Sequence, residues 1–306
     1  MKKILITDSL YIFPKHVRQL QDAGYEVERL DKPDASEAEL AEAIRGKAGY
    51  ILGGVEHVTN KVIDAADGLE AIVFTGIGYS FIPAVEHARA KGIVVQDLPD
   101  SPTDAVAEWS MAAALAMTRG LFDLARTGGE SFTTTTGLKK QSVGIVGLGR
   151  IGSRIAELLA PFGPAAVAYY SAHRHPDKEQ SLGVQYKDLP ALLNGSDVVF
   201  LCVSDEVGKD FFSNDQFQAM KEKSLLVSFM EDTGIINKDA LYTALQSGKI
   251  RAISDYPMDE RFGAFPLSVW YSFNGSNAAN TIASVAATSD AATELMISLL
   301  ARAKPA

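Results

Sequence analysis

Short apolar, β-branched runs alternate with helical stretches through the first hundred residues: KILITD, YEVERL, GYILGG, AIVFTG and GIVVQDL, with segments such as EAELAEAIR between them. This alternation predicts a parallel sheet wrapped by helices. From Thr103 the period changes, and TDAVAEWSMAAALAMTRGLFDLAR predicts one long Ala-rich helix, buried on most sides, with Thr103 or Asp104 suited to cap its start. The stretch TGGESFTTTTG then predicts a linker or exposed arm, with phosphate binding by its threonines as the rival reading. A second α/β unit starts near Ser142, with strands at SVGIVG, AVAYY, DVVFLCV, SLLVSF and IRAISDY. A last helix, from about Ala278 to Arg302, has apolar residues at helical spacing and returns the chain to the first unit.

Gly53-Gly54 and the Gly76-Ile77-Gly78 turn follow two of the early strands, at the carboxyl edge where open α/β sheets bind ligands. Gly53, Gly54, Gly78 and Tyr79 are therefore candidate substrate residues, tight turns being the alternative role for the glycines.

Composition narrows the class of partner. The 306 residues are enough for two domains, and 47% hydrophobic with 22% charged residues suits a soluble globular protein. A net charge of -9 repels nucleic acid and anionic membranes, which favours a small-molecule partner. The single cysteine, Cys202, excludes an internal disulfide and a cysteine-based zinc site. Asp8 interrupts the first apolar run too early for a signal peptide, and no run approaches the roughly 18 residues of a membrane span. A cytoplasmic protein is expected. His16, His57 and His87 read as surface or packing residues, and no metal is expected, because no second ligand stands at a suitable spacing.

The most specific motif is SVGIVGLGRIGSRIAELL, in which a strand leads through Gly147, Gly149 and Gly152 into a helix. Gly147 permits the tight turn, Gly149 leaves room for a pyrophosphate, and Gly152 lets helix and strand pack closely. A pyrophosphate on the helix N-terminus meets unpaired N–H groups and a favourable dipole, which makes Gly147, Leu148, Gly149, Arg150, Ile151 and Gly152 the dinucleotide cradle. Cys202, Val203, Met230 and Asp255 complete the expected cofactor-binding set. About 20 residues beyond the motif an acid usually holds the ribose hydroxyls of NAD. Here Ser171 occupies that place, followed by Ala172, His173, Arg174 and His175, so NADP(H) is expected, with NAD(H) as the alternative. A solvated basic loop that contacts nothing is the rival role for these residues.

The order of TGIGYS, KGIVVQDLPDSPTDAVAEWSMAAALAM, VGIVGLGRIG and GIINKDALYTALQSGKIRAISDY resembles the D-isomer-specific 2-hydroxyacid dehydrogenases along nearly the whole chain. The resemblance implies a flavodoxin-like substrate domain from residues 1–100 and 281–306, a Rossmann domain from residues 101–280, hydride transfer to or from a 2-oxo acid in the cleft, and a homodimer. It also implies a catalytic Arg in a motif like NTARG, a Glu in one like DVFxxEP and a His in one like TPH. Aligning backward from GIINKDAL places Asp232, or Glu231 after a one-residue slip, at the Arg position. Asp255-Tyr256-Pro257-Met258-Asp259-Glu260 retains the acid at Glu260, with Arg261 where proline is usual. Ser272-Phe273-Asn274 puts Asn274 at the His position, and His173 and His175 are the last histidines of the chain.

Two functions remain open from the sequence. One is an NADP(H)-dependent oxidoreductase acting on something other than an ordinary 2-oxo acid, with Glu260 as proton donor, Asp232 orienting a substrate such as an amine or iminium, Asn274 holding an oxygen or nitrogen, and Tyr79 an outside candidate. The other is a catalytically retired protein that binds the cofactor as a sensor or interaction partner. Glu231, Asp232 and Glu260 as ordinary surface acids is the bland alternative to either.

Overall fold

The computed structural model describes residues 1–7, 12–76, 79, 81–98, 102–129, 134–230, 234–273 and 278–302. The chain divides into two compact units, Met1–Pro102 with Thr281–Ala306, and Thr103–Asn280.

The first unit holds strands β1 (Lys3–Ile6), β2 (Glu26–Arg29), β3 (Gly49–Leu52), β4 (Ala71–Phe74) and β5 (Val94–Gln96). They form one parallel sheet in the order β2-β1-β3-β4-β5, the flavodoxin-like arrangement. Alternate strand residues serve opposite faces. Leu5, Tyr50 and Leu52 join one apolar cluster, whereas Ile4, Ile6 and Ile51 join another that includes Ala292, Met296 and Leu300 of the last helix. That helix spans Ile282–Arg302, four residues shorter at its start than the apolar spacing predicts.

The second unit holds β6 (Ser142–Val146), β7 (Ala166–Tyr170), β8 (Gln185–Tyr186), β9 (Val198–Leu201), β10 (Ser224–Ser228), β11 (Ile250–Ser254) and β12 (Trp270–Ser272). Their order is β12-β11-β10-β9-β6-β7-β8, all parallel, a doubly wound Rossmann sheet. The chain moves outward from β6 to β7 and β8, then crosses back to β9 on the other side of β6, so the sheet's switch point lies between β6 and β9. Both faces are covered, as a parallel sheet requires. Val146, Val199, Leu201 and Leu226 face one cluster; Ile145, Val198, Phe200, Leu225 and Val227 face the other.

The structure breaks the long helix expected from Thr103. One helix runs Thr103–Thr118 and a second Leu121–Thr127, separated at Gly120, whose φ of 62° is left-handed. Helical composition continues across the break, but glycine adopts that conformation without the strain a Cβ would bring. Neither expected residue caps the start. Thr103 is the first helical residue, its buried hydroxyl has no hydrogen-bond partner among the described residues, and Asp104 lies in the first turn and pairs with Arg154 at 2.7 Å.

Candidate functional site

The glycine-rich turn sits at the switch point of the Rossmann sheet, after β6 and before the helix Arg150–Leu159. Each glycine has a separate reason. Gly147 has a φ of 101°, and a Cβ there would overlap the Cys202 carbonyl of the neighbouring strand end. A Cβ on Gly152 would overlap the Gly147 carbonyl oxygen and come within 3.1 Å of Ile145. At Gly149, by contrast, nothing lies within 4 Å of the position a Cβ would take. The turn is thus tight behind and beneath, and open at the one residue where a phosphate must approach. Gly149 is also the N-cap of the helix and offers no side chain to its orphan N–H groups. These features fit a dinucleotide.

The turn is fixed from both sides. Gly147 N–H donates to the Tyr170 carbonyl at 2.7 Å, and Cys202 N–H donates to the Val146 carbonyl at 2.7 Å. Leu148 is 1% exposed, Ile151 packs against the same cluster, and Arg150 is exposed at the first helical position. Cys202 and Val203 continue from β9 and are half-buried, and desolvation pushes the Cys202 thiol well above its ordinary pKa. It stays a neutral thiol at physiological pH.

The loop after β7 is organised by a buried phenol. Tyr169 donates to Glu179 Oε1 at 2.7 Å and accepts from His175 N–H at 2.8 Å. Glu179 in turn holds Arg174 through two bonds, from Nε at 2.7 Å and Nη2 at 2.8 Å. Hydrogen bonds from Arg174 and Tyr169 lower the Glu179 carboxyl to about 2. The pair is therefore fully charged near neutrality and its net charge is zero. The Ser171 hydroxyl donates to the His173 carbonyl.

At the other strand ends, two serines turn the chain. Ser228 and Ser254 are register partners on β10 and β11. Ser228 Oγ accepts Met230 N–H at 3.2 Å, and Ser254 Oγ accepts Tyr256 N–H at 3.2 Å. These turns bring Met230 to Tyr256, Pro257 and Met258 around a small depression that Gly234, Ile236 and Lys238 complete. Asp255 is fully buried, and its Oδ2 accepts Ala278 N–H at 2.8 Å. Glu260 opens a 3-10 turn over Glu260–Ala264 and is exposed. Asp232, Glu231 and Asn274 lie outside the described residues.

In the first unit, Gly53 and Gly54 follow β3 at that sheet's own switch point, between β1 and β3. Tyr79 is half-buried, with the Arg89 guanidinium 5.1 Å from its ring centre. Desolvation first, then the charge of Asp97, raises the pKa of its hydroxyl. Gly78 lies outside the described residues. Sequence patterns gave no sign of a buried network beneath the switch point: Tyr50 donates to Glu56 Oε1 at 2.8 Å, and Thr7 Oγ1 lies 3.1 Å from the Tyr50 hydroxyl. Nor did they mark Lys178, whose Nζ reaches the Leu148 carbonyl at 2.8 Å. A lysine in the first turn of a helix, against the helix dipole, was the available signal.

Among the described residues no group of three or more His, Cys, Asp or Glu side chains could hold a metal ion, and no helix is long and apolar enough to cross a membrane. The family model for the D-isomer specific 2-hydroxyacid dehydrogenase, NAD binding domain, matches residues 111–269. Human glyoxylate reductase/hydroxypyruvate reductase is 31% identical over 241 residues, 75% of this chain and 73% of that protein. The chain belongs to the D-isomer-specific 2-hydroxyacid dehydrogenase family. Two solved structures agree with this placement. A Thermus thermophilus protein is 26% identical with a TM-score of 0.84, covering 99% of this chain and 98% of that one. The NADPH-dependent glyoxylate/hydroxypyruvate reductase of Sinorhizobium meliloti is 26% identical with a TM-score of 0.80, covering 96% and 93%. Family membership makes the chain an NAD(P)-dependent oxidoreductase by descent, with a small-molecule substrate.

Proposed function

We propose that this member of the family is an NADP(H)-preferring oxidoreductase whose substrate is not an ordinary 2-oxo acid. The observation that carries the cofactor half is the end of β7, where Ser171 stands with its hydroxyl bonded to its own loop. An acid there would repel a 2′-phosphate, and serine does not. NAD(H) is the alternative cofactor, because a serine hydroxyl can also meet a ribose hydroxyl. The Sinorhizobium relative, named as NADPH-dependent, is consistent with the preference.

The substrate half rests on the sequence positions that replace the family's chemistry. Asp232 stands where the resemblance implies Arg, Asn274 where it implies His, and no histidine follows His175. Two like charges about 4 Å apart repel by about 4 kcal/mol at the effective dielectric of a protein surface, so Asp232 disfavours a substrate carboxylate. An amine or iminium would be attracted instead. The nicotinamide, when bound, supplies or accepts the hydride. Glu260 is the proton donor in this reading, at the acid position its motif retains. Asp232 orients the cationic group, and Asn274 hydrogen-bonds an oxygen or nitrogen. Tyr79 is the weaker donor because desolvation and the charge of Asp97 raise its pKa, so it releases its proton less readily. Gly53, Gly54 and Gly78 supply backbone for substrate binding, and a cytoplasmic homodimer belongs to the same reading.

Calorimetric titration of the full chain with NADPH and NADH tests the cofactor half, and tighter NADPH binding is expected. A screen of amines, imines and neutral carbonyl compounds by NADPH absorbance tests the substrate half. Equal affinities would remove the first, and inactivity on every cationic substrate with brisk reduction of 2-oxo acids would remove the second.

A further inference from the structure

The Rossmann unit places a second cation on the cofactor turn, in surroundings unlike those of Arg174. Lys178 is the third residue of the helix Pro176–Leu182 and is half-buried. Its Nζ donates to the Leu148 carbonyl at 2.8 Å and to Ser153 Oγ at 3.0 Å. The ammonium therefore lies on the residue between Gly147 and Gly149 and on the first turns of the helix that those glycines open. Both acceptors are neutral. Among the described residues Lys178 has no carboxylate partner, whereas Arg174 is paired with Glu179 through two hydrogen bonds.

Three points give the charge a purpose. A neutral donor such as glutamine could serve the Leu148 carbonyl as well, so the hydrogen bonds alone do not require a cation. A cation in the first turn of a helix is opposed by the helix dipole, so the charge carries a cost within the unit. An ammonium has three N–H donors; the described residues take two, and the third remains for an incoming oxygen. We infer that Lys178 is the residue that recognises the 2′-phosphate of NADP(H), with Arg174 holding the loop in shape through Glu179. The inference rests on the NADP(H) reading above and adds the residue responsible for it.

The test compares 2′,5′-ADP with 5′-AMP, which share adenosine 5′-phosphate and differ in the 2′-phosphate, by isothermal titration of the full chain. The wild type should favour 2′,5′-ADP by about tenfold or more, the size of one charge-assisted contact. Lys178→Met should remove most of that preference and leave 5′-AMP within about twofold. Lys178→Arg should restore it; Lys178→Gln, which keeps a donor for Leu148, should not. Arg174→Ala should have the smaller effect. A wild type without preference would defeat the NADP(H) reading and this inference together. A wild-type preference that survives Lys178→Met, or a Lys178→Met loss shared equally by both nucleotides, would overturn the inference alone.

Discussion

Adding one methyl group at Gly149 or at Gly152 should separate binding from folding. At Gly152 the methyl would overlap the Gly147 carbonyl oxygen and sit 3.1 Å from both the Gly147 carbonyl carbon and Ile145 Cγ2. Two of the three neighbours are backbone, so the helix must move away from the turn. Overpacking of this kind costs about 1 to 3 kcal/mol, and the better helix propensity of alanine returns just under about 1 kcal/mol. With a backbone carbonyl as the obstacle the upper part of that range applies, for a net loss of about 2 kcal/mol. At Gly149 no atom lies within 4 Å of the added Cβ, and the φ of -72° suits alanine. The only structural loss there is a slightly poorer N-cap, below about 1 kcal/mol. The methyl would nevertheless fill the space a pyrophosphate needs. Gly149→Ala should therefore unfold in urea near the wild-type midpoint but bind NADPH at least about tenfold more weakly, one contact-distance clash being worth at least about 1.4 kcal/mol. Gly152→Ala should lose stability first. Wild-type NADPH affinity in Gly149→Ala would refute the placement of the cofactor over this turn.

Three further outcomes follow. Glu260→Gln should lower kcat by about a hundredfold or more on any substrate found, with NADPH affinity nearly unchanged, whereas Asp232→Asn should raise KM more than it lowers kcat; full activity in Glu260→Gln would move the proton to another group. Glu179→Gln should release Arg174 and strengthen 2′,5′-ADP binding severalfold over 5′-AMP; an unchanged ratio would mean the pair does not restrain Arg174. The Glu179 carboxyl should titrate at about 2 by carbon-13 NMR. Because its folded pKa is depressed, its stabilising contribution is present above the ordinary carboxylate range and is lost as pH falls through about 2. Titration near 4 would show that the bonds to Arg174 and Tyr169 are not maintained.

The strands that carry the site were legible because parallel strands buried on both faces read as apolar runs, as at SVGIV and VVFL. β8 was not, because Gln185 and Tyr186 are exposed and form a sheet edge too short for any pattern. β12 consists of Trp270, Tyr271 and Ser272 and is a strand by virtue of its register with β11, which sequence does not contain. The glycine turn was legible down to the backbone or packing demand at Gly147 and Gly152 and the open space at Gly149, since its neighbours are a strand and a helix adjacent in the chain. The surroundings of Arg174 were not. A basic loop suggested free charge, but Tyr169 and Glu179 close on it from a strand and a helix. Lys178 and Leu148, 30 residues apart, likewise meet only once the fold is formed. The Tyr50–Glu56 contact joins a strand to the loop behind it, and no periodicity could announce it.

In the proposed reading the chain keeps the family's cofactor turn and does not carry out its 2-oxo acid chemistry. The most direct measurement is to titrate the full chain with NADPH and then add glyoxylate, hydroxypyruvate or pyruvate to the complex while following NADPH absorbance. Saturable NADPH binding with little or no oxidation on adding any of the three acids is the predicted result. Turnover near the usual enzyme range of about 10 per second would contradict it.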